Sequence, residues 1–271
     1  FGEMITHGYA TDAADATEKA LMAGSDMDME SRLFQKELAA LVKSGKIPQA
    51  RLDNAVGLVL YWKFKLGLFD NPFQYHDPAR EKATLLSAAH QQAAREAAAN
   101  SMVLLQNKNN ILPLSKSLKH ILVLGHLAES QDDVLDFWKG QGEHQNTVTI
   151  LEGLRNKYPA TKIDFVRGYD KTFQTIAADA KQIQLKARNA DVLVVVIGIN
   201  GELAGEARAL ADIRPAAGQM ELLRLAKATG KPVVVVVQAG RPMVLTEVAN
   251  DFPTILNAWI GGTQHGNAVA D

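Results

Sequence analysis

Glu206 stands in the glycine-bounded segment Ile197-Gly-Ile-Asn-Gly-Glu-Leu-Ala-Gly-Glu-Ala207, directly after the apolar run Val192 to Val196. A carboxylate on a loop just past the carboxyl end of a buried strand occupies the edge where an open α/β sheet presents its ligand-facing groups. Such a group can give or take a proton, provided that the fold delivers it to the bond being broken. Glu202 lies in the same segment and is the alternative, and Arg208 and Arg214 are close enough in sequence to pair with either. On its residues alone, Glu206 reads first as a solvated loop carboxylate, and Glu202 reads the same way. Asp26 and Asp28, in Ala23-Gly-Ser-Asp-Met-Asp-Met29, follow a helix and its glycine stop; they either line a site or cap the next helix, and capping is the expectation. Trp138, in Leu135-Asp-Phe-Trp-Lys-Gly-Gln-Gly142, sits among polar and glycine residues and could stack on a sugar ring. Trp62 and Trp259 sit in apolar patterns and are expected in the core.

Other chemistries lack their residues. Gly198-Ile-Asn-Gly201 has neither the third glycine nor the immediate helix of a dinucleotide loop, and no Gly-Lys-Ser/Thr triplet cradles phosphate. The 7 histidines are dispersed, with no His-x-x-x-His pair, and the serine-nucleophile elbow Gly-x-Ser-x-Gly is missing. No metal and no cofactor is expected. Zero cysteines exclude disulfides and thiolate catalysis and leave the compartment open. The formal charge of -1, with Lys and Arg scattered, argues against nucleic acid as a partner. The longest apolar runs fall short of the roughly 20 residues that span a bilayer, so no membrane insertion is expected.

These groups need a scaffold, and 271 residues at 47% hydrophobic suffice for one large or two ordinary domains. Helical periodicity predicts helices over about 12–23, 31–43 and 49–66, each closed by a glycine. Their apolar residues, among them Leu38, Leu41, Leu52, Val56 and Leu60, would cover a core that this stretch cannot close by itself. The segment 68–78, with two prolines and no periodicity, reads as a linker. An Ala-rich helix is predicted over about 82–100. Strand-like runs follow at 121–124, 163–166, 192–197, 233–237 and 254–259, with helices near 150–157, 176–189, 217–228 and 243–249 between them. Alternating βα units with near-continuous Val and Ile predict a mainly parallel sheet covered on both faces. The abrupt Phe1-Gly2-Glu3 start and the unfinished helix before Asp271 read as cuts in a longer chain.

Several segments together resemble glycoside hydrolase family 3. They are Ala23-Gly-Ser-Asp-Met-Asp-Met29, Gly67-Leu-Phe-Asp-Asn-Pro72, Ser101-Met-Val-Leu-Leu-Gln-Asn107 with Leu112-Pro-Leu114, Trp138 with Gly142, Gly240-Arg-Pro242 and Gly261-Gly-Thr-Gln-His-Gly-Asn-Ala-Val-Ala-Asp271. Each is weak alone; in this order and spacing, across nearly the whole chain, they are specific. The resemblance implies an α/β architecture: residues 1–70 as the C-terminal end of a (β/α)8 barrel, 71–100 as linker and connecting helix, and 101–271 as a three-layer α/β sandwich domain with a mainly parallel sheet. It further implies a retaining exo-acting β-glucosidase, in which a barrel Asp attacks the anomeric carbon and a loop Glu protonates the leaving oxygen and then activates water, the two carboxyls standing roughly 5 Å apart. The Glu maps onto Glu206, with Glu202 as fallback; the Asp is expected upstream of Phe1, so the chain by itself would be inactive. Trp138 becomes a sugar platform. Other specificities of the family (exo-β-glucanase, β-xylosidase, β-N-acetylglucosaminidase), or a degenerate sugar-binding member, are the alternatives. β-Linked glucosides or oligosaccharides are the implied substrates, a homodimer one implied assembly, and a periplasmic or secreted location the implied address. The chain departs from the family at Ile199, where an acidic residue is usual, at Leu210, where Arg is usual, and at Lys139, where Ser is common.

Overall fold

A computed structural model describes residues 1–271, which form two compact units, 1–83 and 84–271. The first unit is helical: α1 (Glu3–Thr6), α2 (Ala13–Met22), α3 (Leu33–Lys43), α4 (Gln49–Lys65) and most of α5 (Pro78–Thr84). Local chemistry sets the starts. Asp12 caps α2 by accepting the Asp15 amide at 2.9 Å. Asp28 gathers the amides of Ser31, Leu33 and Phe34, which opens α3 and gives this carboxylate the capping role, while Asp26 pairs with Arg51 at 2.8 Å. Burial would raise the Asp28 carboxyl, but hydrogen bonds from the Ser31 hydroxyl and from the Phe34 and Leu33 amides hold it below its ordinary range. Leu21, Leu41, Ile47 and Ala55 form one small core, and Ala10, Ala16 and Leu33 form another. Along α4 only Ala55 is buried; Val56, Leu60, Tyr61 and Phe64 are exposed. Trp62, expected in the core, is 57% exposed, because α4 has only its Ala55 side covered.

The second unit carries the sheet. The predicted helix over 82–100 is two: α5 ends at Thr84 and α6 (Ala88–Ser101) restarts after Leu86 adopts φ 52° and Ser87 caps by accepting the His90 amide. The strands are β1 (Val103–Asn107), β2 (His120–Leu124), β3 (Lys162–Val166), β4 (Val192–Gly198), β5 (Val233–Gln238) and β6 (Thr254–Asn257), in spatial order β1-β6-β5-β4-β2-β3. All neighbours are parallel except β1, which joins the edge antiparallel to β6. β2, β4 and β5 are buried along their whole length, as the unbroken Val and Ile runs require of strands covered on both faces. The remaining helices are α7 (Ile150–Lys157), α8 (Asp179–Ala187), α9 (Ala217–Ala228), α10 (Thr246–Asp251) and α11 (His265–Ala270). α6 and α7 both pack on α11, and α8 packs on α9. The chain runs from β2 outward to β3 and then returns to place β4 on the other side of β2. This reversal makes the carboxyl edge between β2 and β4 the topological switch point, the crevice where such sheets bind ligands.

His265, at the start of α11, is fully buried; its Nδ1 accepts the Gly261 amide at 3.1 Å, and Nε2 has no partner. Burial lowers its pKa from 6.5 to about 4. The unfolded chain therefore binds the proton over this window, so the contribution of neutral His265 is complete above pH 6.5 and is lost as pH falls toward 4. His265→Asn keeps a short acceptor and cannot titrate. Thermal melts should show the variant gaining on the parent by about 5 °C between pH 6.5 and 4.5; a pH-independent difference would refute the assignment.

Candidate active site

β4 delivers the loop that holds both candidate carboxylates. At its end Gly198 has φ 147°, and a Cβ there would lie 1.7 Å from the Gln238 carbonyl oxygen of β5, so only glycine lets the chain leave the sheet at this point. The exit is fixed twice more. The Ile199 amide donates to the Gln238 carbonyl at 3.0 Å, and the buried side chain of Gln219, on α9, donates to the Gly198 carbonyl at 2.9 Å. The loop then turns at Asn200–Leu203 and again at Gly205–Arg208, where the Arg208 amide donates to the Gly205 carbonyl and Ala207 adopts φ 57°. Glu206 is the second residue of this last turn. Its side chain is exposed and makes no hydrogen bond or ion pair.

The loop after β2 meets this one. The Gly201 amide donates to Asp133 Oδ1 at 3.2 Å, and Ser130 Oγ donates to the other Asp133 oxygen at 2.7 Å. The Phe137 ring lies against Gly205 and beneath the Arg208 guanidinium, 5.2 Å from its centre, in a cation–π arrangement. Trp138 stands edge-to-face on Phe137 at 5.2 Å and is 71% exposed. After β5, Arg241 Nη2 reaches the Arg208 carbonyl at 3.4 Å. Loops from three adjacent strands thus converge on the Glu206 turn.

Three cavities surround them. A polar cleft of about 1110 Å³ is lined by Glu202, Arg208, Asn200, Phe137 and Asp133 among others; Glu202 faces it and Glu206 does not. A hollow of about 420 Å³ lies between Trp138, Trp259, Asp136 and Gly240. Trp259, expected inside a strand, lies beyond the end of β6 with φ 54° and is only partly buried, because β6 stops at Asn257. The third cavity, about 470 Å³ and mostly apolar, takes Ile199, Leu203, Leu210, Met220 and Val248. Ile199 and Leu210, the two departures flanking the carboxylates, therefore face the same space, Ile199 with 3% exposure. Asp212 and Arg214 at its rim pair at 2.6 Å, and the guanidinium lowers the Asp212 carboxyl to about 2. Lys139 contacts His144 Nε2 at 2.6 Å. Sequence patterns did not single out Phe137 or Asp133; the available signal was their place in the same loop as Trp138.

Residues 102–271 match the glycosyl hydrolase family 3 C-terminal domain. The periplasmic β-glucosidase of Salmonella typhimurium is 37% identical across 99% of this chain, and a β-xylosidase of Formosa agariphila is 31% identical across 98%. The crystal structure of the Listeria innocua β-glucosidase in complex with glucose superimposes over 100% of this chain with a TM-score of 0.89 at 32% identity. The chain belongs to glycosyl hydrolase family 3. It spans 38% of the length of both curated relatives and 36% of the Listeria chain. The six-stranded, mainly parallel sheet is the fold of that C-terminal domain.

The shared apolar cavity gives a stability prediction. Ile199→Glu would bury a carboxylate beside Leu203 and Leu210, with the only lining cation, Arg214, already paired. A loss of about 3 kcal/mol or more is expected by chemical denaturation, since an uncompensated buried charge is among the costliest single changes. Adding Leu210→Arg should recover part of it. Additive losses in the double variant would show that the two side chains do not share an environment.

Proposed function

We propose that this chain is part of a retaining exo-acting glycosidase that removes terminal β-D-glucosyl residues, with Glu206 as its general acid and base and Trp138 as a platform for the sugar beyond the scissile bond. The observation that carries the reading is the unpaired Glu206 carboxylate at the tip of a turn, held by loops from β2, β4 and β5 at the carboxyl edge, with the exposed Trp138 indole joined to the same turn through Phe137. The wider family membership and the β-glucosidases among the relatives support it. In this reading residues 1–70 are the end of a barrel, and the nucleophilic Asp belongs to the protein outside residues 1–271.

The proposed chemistry has two steps. The Asp carboxylate attacks the anomeric carbon while Glu206, protonated, gives its proton to the departing glycosidic oxygen. Glu206, now ionised, takes a proton from water as the water oxygen displaces the Asp from the sugar, and the configuration is retained overall. Glu202 is the alternative donor, because it faces the polar cleft. The periplasmic relative motivates a periplasmic or secreted address; no helix of the chain is long and apolar enough to cross a membrane.

The test uses the full-length protein. Glu206→Gln should lose at least about 100-fold in kcat/KM on glucosides with poor leaving groups, which depend on proton donation. Activated aryl glucosides should be far less affected in their first step, and azide should restore turnover by forming the β-glucosyl azide. Equal losses on both substrates without azide rescue, or this signature in Glu202→Gln instead, would overturn the assignment.

A second reading has its own observation: the β-xylosidase of Formosa agariphila matches almost the whole chain. The two sugars differ by one hydroxymethyl group, so kcat/KM on matched aryl β-glucoside and β-xyloside decides between them. The glucosidase reading predicts a preference for glucoside of about 10-fold or more; the reverse preference would establish the xylosidase.

A further inference from the structure

Phe137 touches both parts of the candidate machinery. A Cβ on Gly205 would come within 2.7 Å of Phe137 Cβ and 2.9 Å of Cγ, so the residue just before Glu206 packs with its backbone directly on this side chain. Two residues after Glu206, Arg208 lies over the same ring at 5.2 Å. The ring therefore supports the Glu206 turn from both of its shoulders, while Glu206 itself has no partner to fix it. The ring also meets Trp138 edge-to-face at an interplanar angle of 87°. The turn closes with a single Arg208-to-Gly205 hydrogen bond at 3.4 Å and strains Ala207 into the left-handed region. A turn held so weakly from within needs an external support to keep one orientation.

We propose that Phe137 is a positioning residue that sets the Glu206 carboxylate relative to the sugar platform Trp138, so that one aromatic ring couples substrate stacking to proton donation. This rests on the assignment of Glu206 as proton donor. The ring touches no reacting atom. Its contribution is orientation, and a displacement near 1 Å of a proton donor can cost on the order of 100-fold in rate. Tyr keeps the ring and both of its contacts; Ala removes them and leaves the Asp133 anchor of Gly201 in place.

In the full-length protein, Phe137→Ala should lower kcat on a poor-leaving-group glucoside by about 10- to 100-fold. On an activated aryl glucoside the loss should stay within about 3-fold, since that bond needs little help from a proton donor. Azide should accelerate the variant, and Phe137→Tyr should return both substrates to near the parent. A general loss of structure would depress the two substrates together and give no azide response, and that outcome overturns the proposal. So does an unchanged leaving-group profile in Phe137→Ala alongside the proton-donor signature in Glu206→Gln, which would leave the catalytic assignment standing without this role. If Glu206→Gln itself lacks the signature, the assignment falls and the role of Phe137 falls with it.

Discussion

The close approach of Gly198 to the Gln238 carbonyl is the constraint on which the site depends. Two fully buried parallel strands, β4 and β5, run side by side until β4 must leave the sheet, and it can do so only where no side chain intervenes. The Ile199-to-Gln238 and Gln219-to-Gly198 hydrogen bonds then fix the direction of departure. Everything beyond, including both candidate carboxylates, inherits that direction. The exposed Glu206 carboxylate has no partner of its own to hold it; here the order comes from the sheet below, from the buried apolar residues of its own loop and from the neighbouring loops beside it.

Those supports divide by chemistry. On one side of the loop, Ile199, Leu203 and Leu210 turn toward an apolar space and tie the segment to the core. On the other, Glu202 and Arg208 face a polar cleft at the switch point between β2 and β4. The turn with Glu206 at its tip lies between these two anchorages, against Phe137. This arrangement accounts for the departures at 199 and 210: where the family resemblance implies charges, this chain places two apolar residues in one shared cavity, and replacing charges with packed apolar groups at a buried site is often tolerated.

Much of the architecture was legible because it follows from periodicity. Unbroken Val and Ile at 192–197 and 233–237 give the buried parallel strands within a residue or so at each end. β1 escaped because it is an exposed, irregular edge strand whose Val103, Leu104 and Leu105 show no alternation. The single helix expected over 82–100 failed because Leu86 in the left-handed region breaks it, and no glycine or proline marks the break. At the site, glycines and carboxylates marked the loop, yet sequence could not say which carboxylate faces the polar cleft, nor that Trp259 leaves its strand to share a hollow with Trp138. Such facts depend on turn geometry and on contacts between residues more than 60 positions apart, which local patterns do not encode.

The central claim is that Glu206, delivered by the end of β4, is the carboxylate that meets the glycosidic oxygen. The most direct measurement is affinity labelling of the full-length protein with N-bromoacetyl-β-D-glucosylamine, whose reactive carbon occupies the place of the leaving group and is captured by a carboxylate with loss of bromide. Peptide mass mapping should find one saturable ester on Glu206, suppressed by excess glucose. An ester on Glu202, or no labelling between residues 198 and 210 while the enzyme is inactivated, would contradict the account.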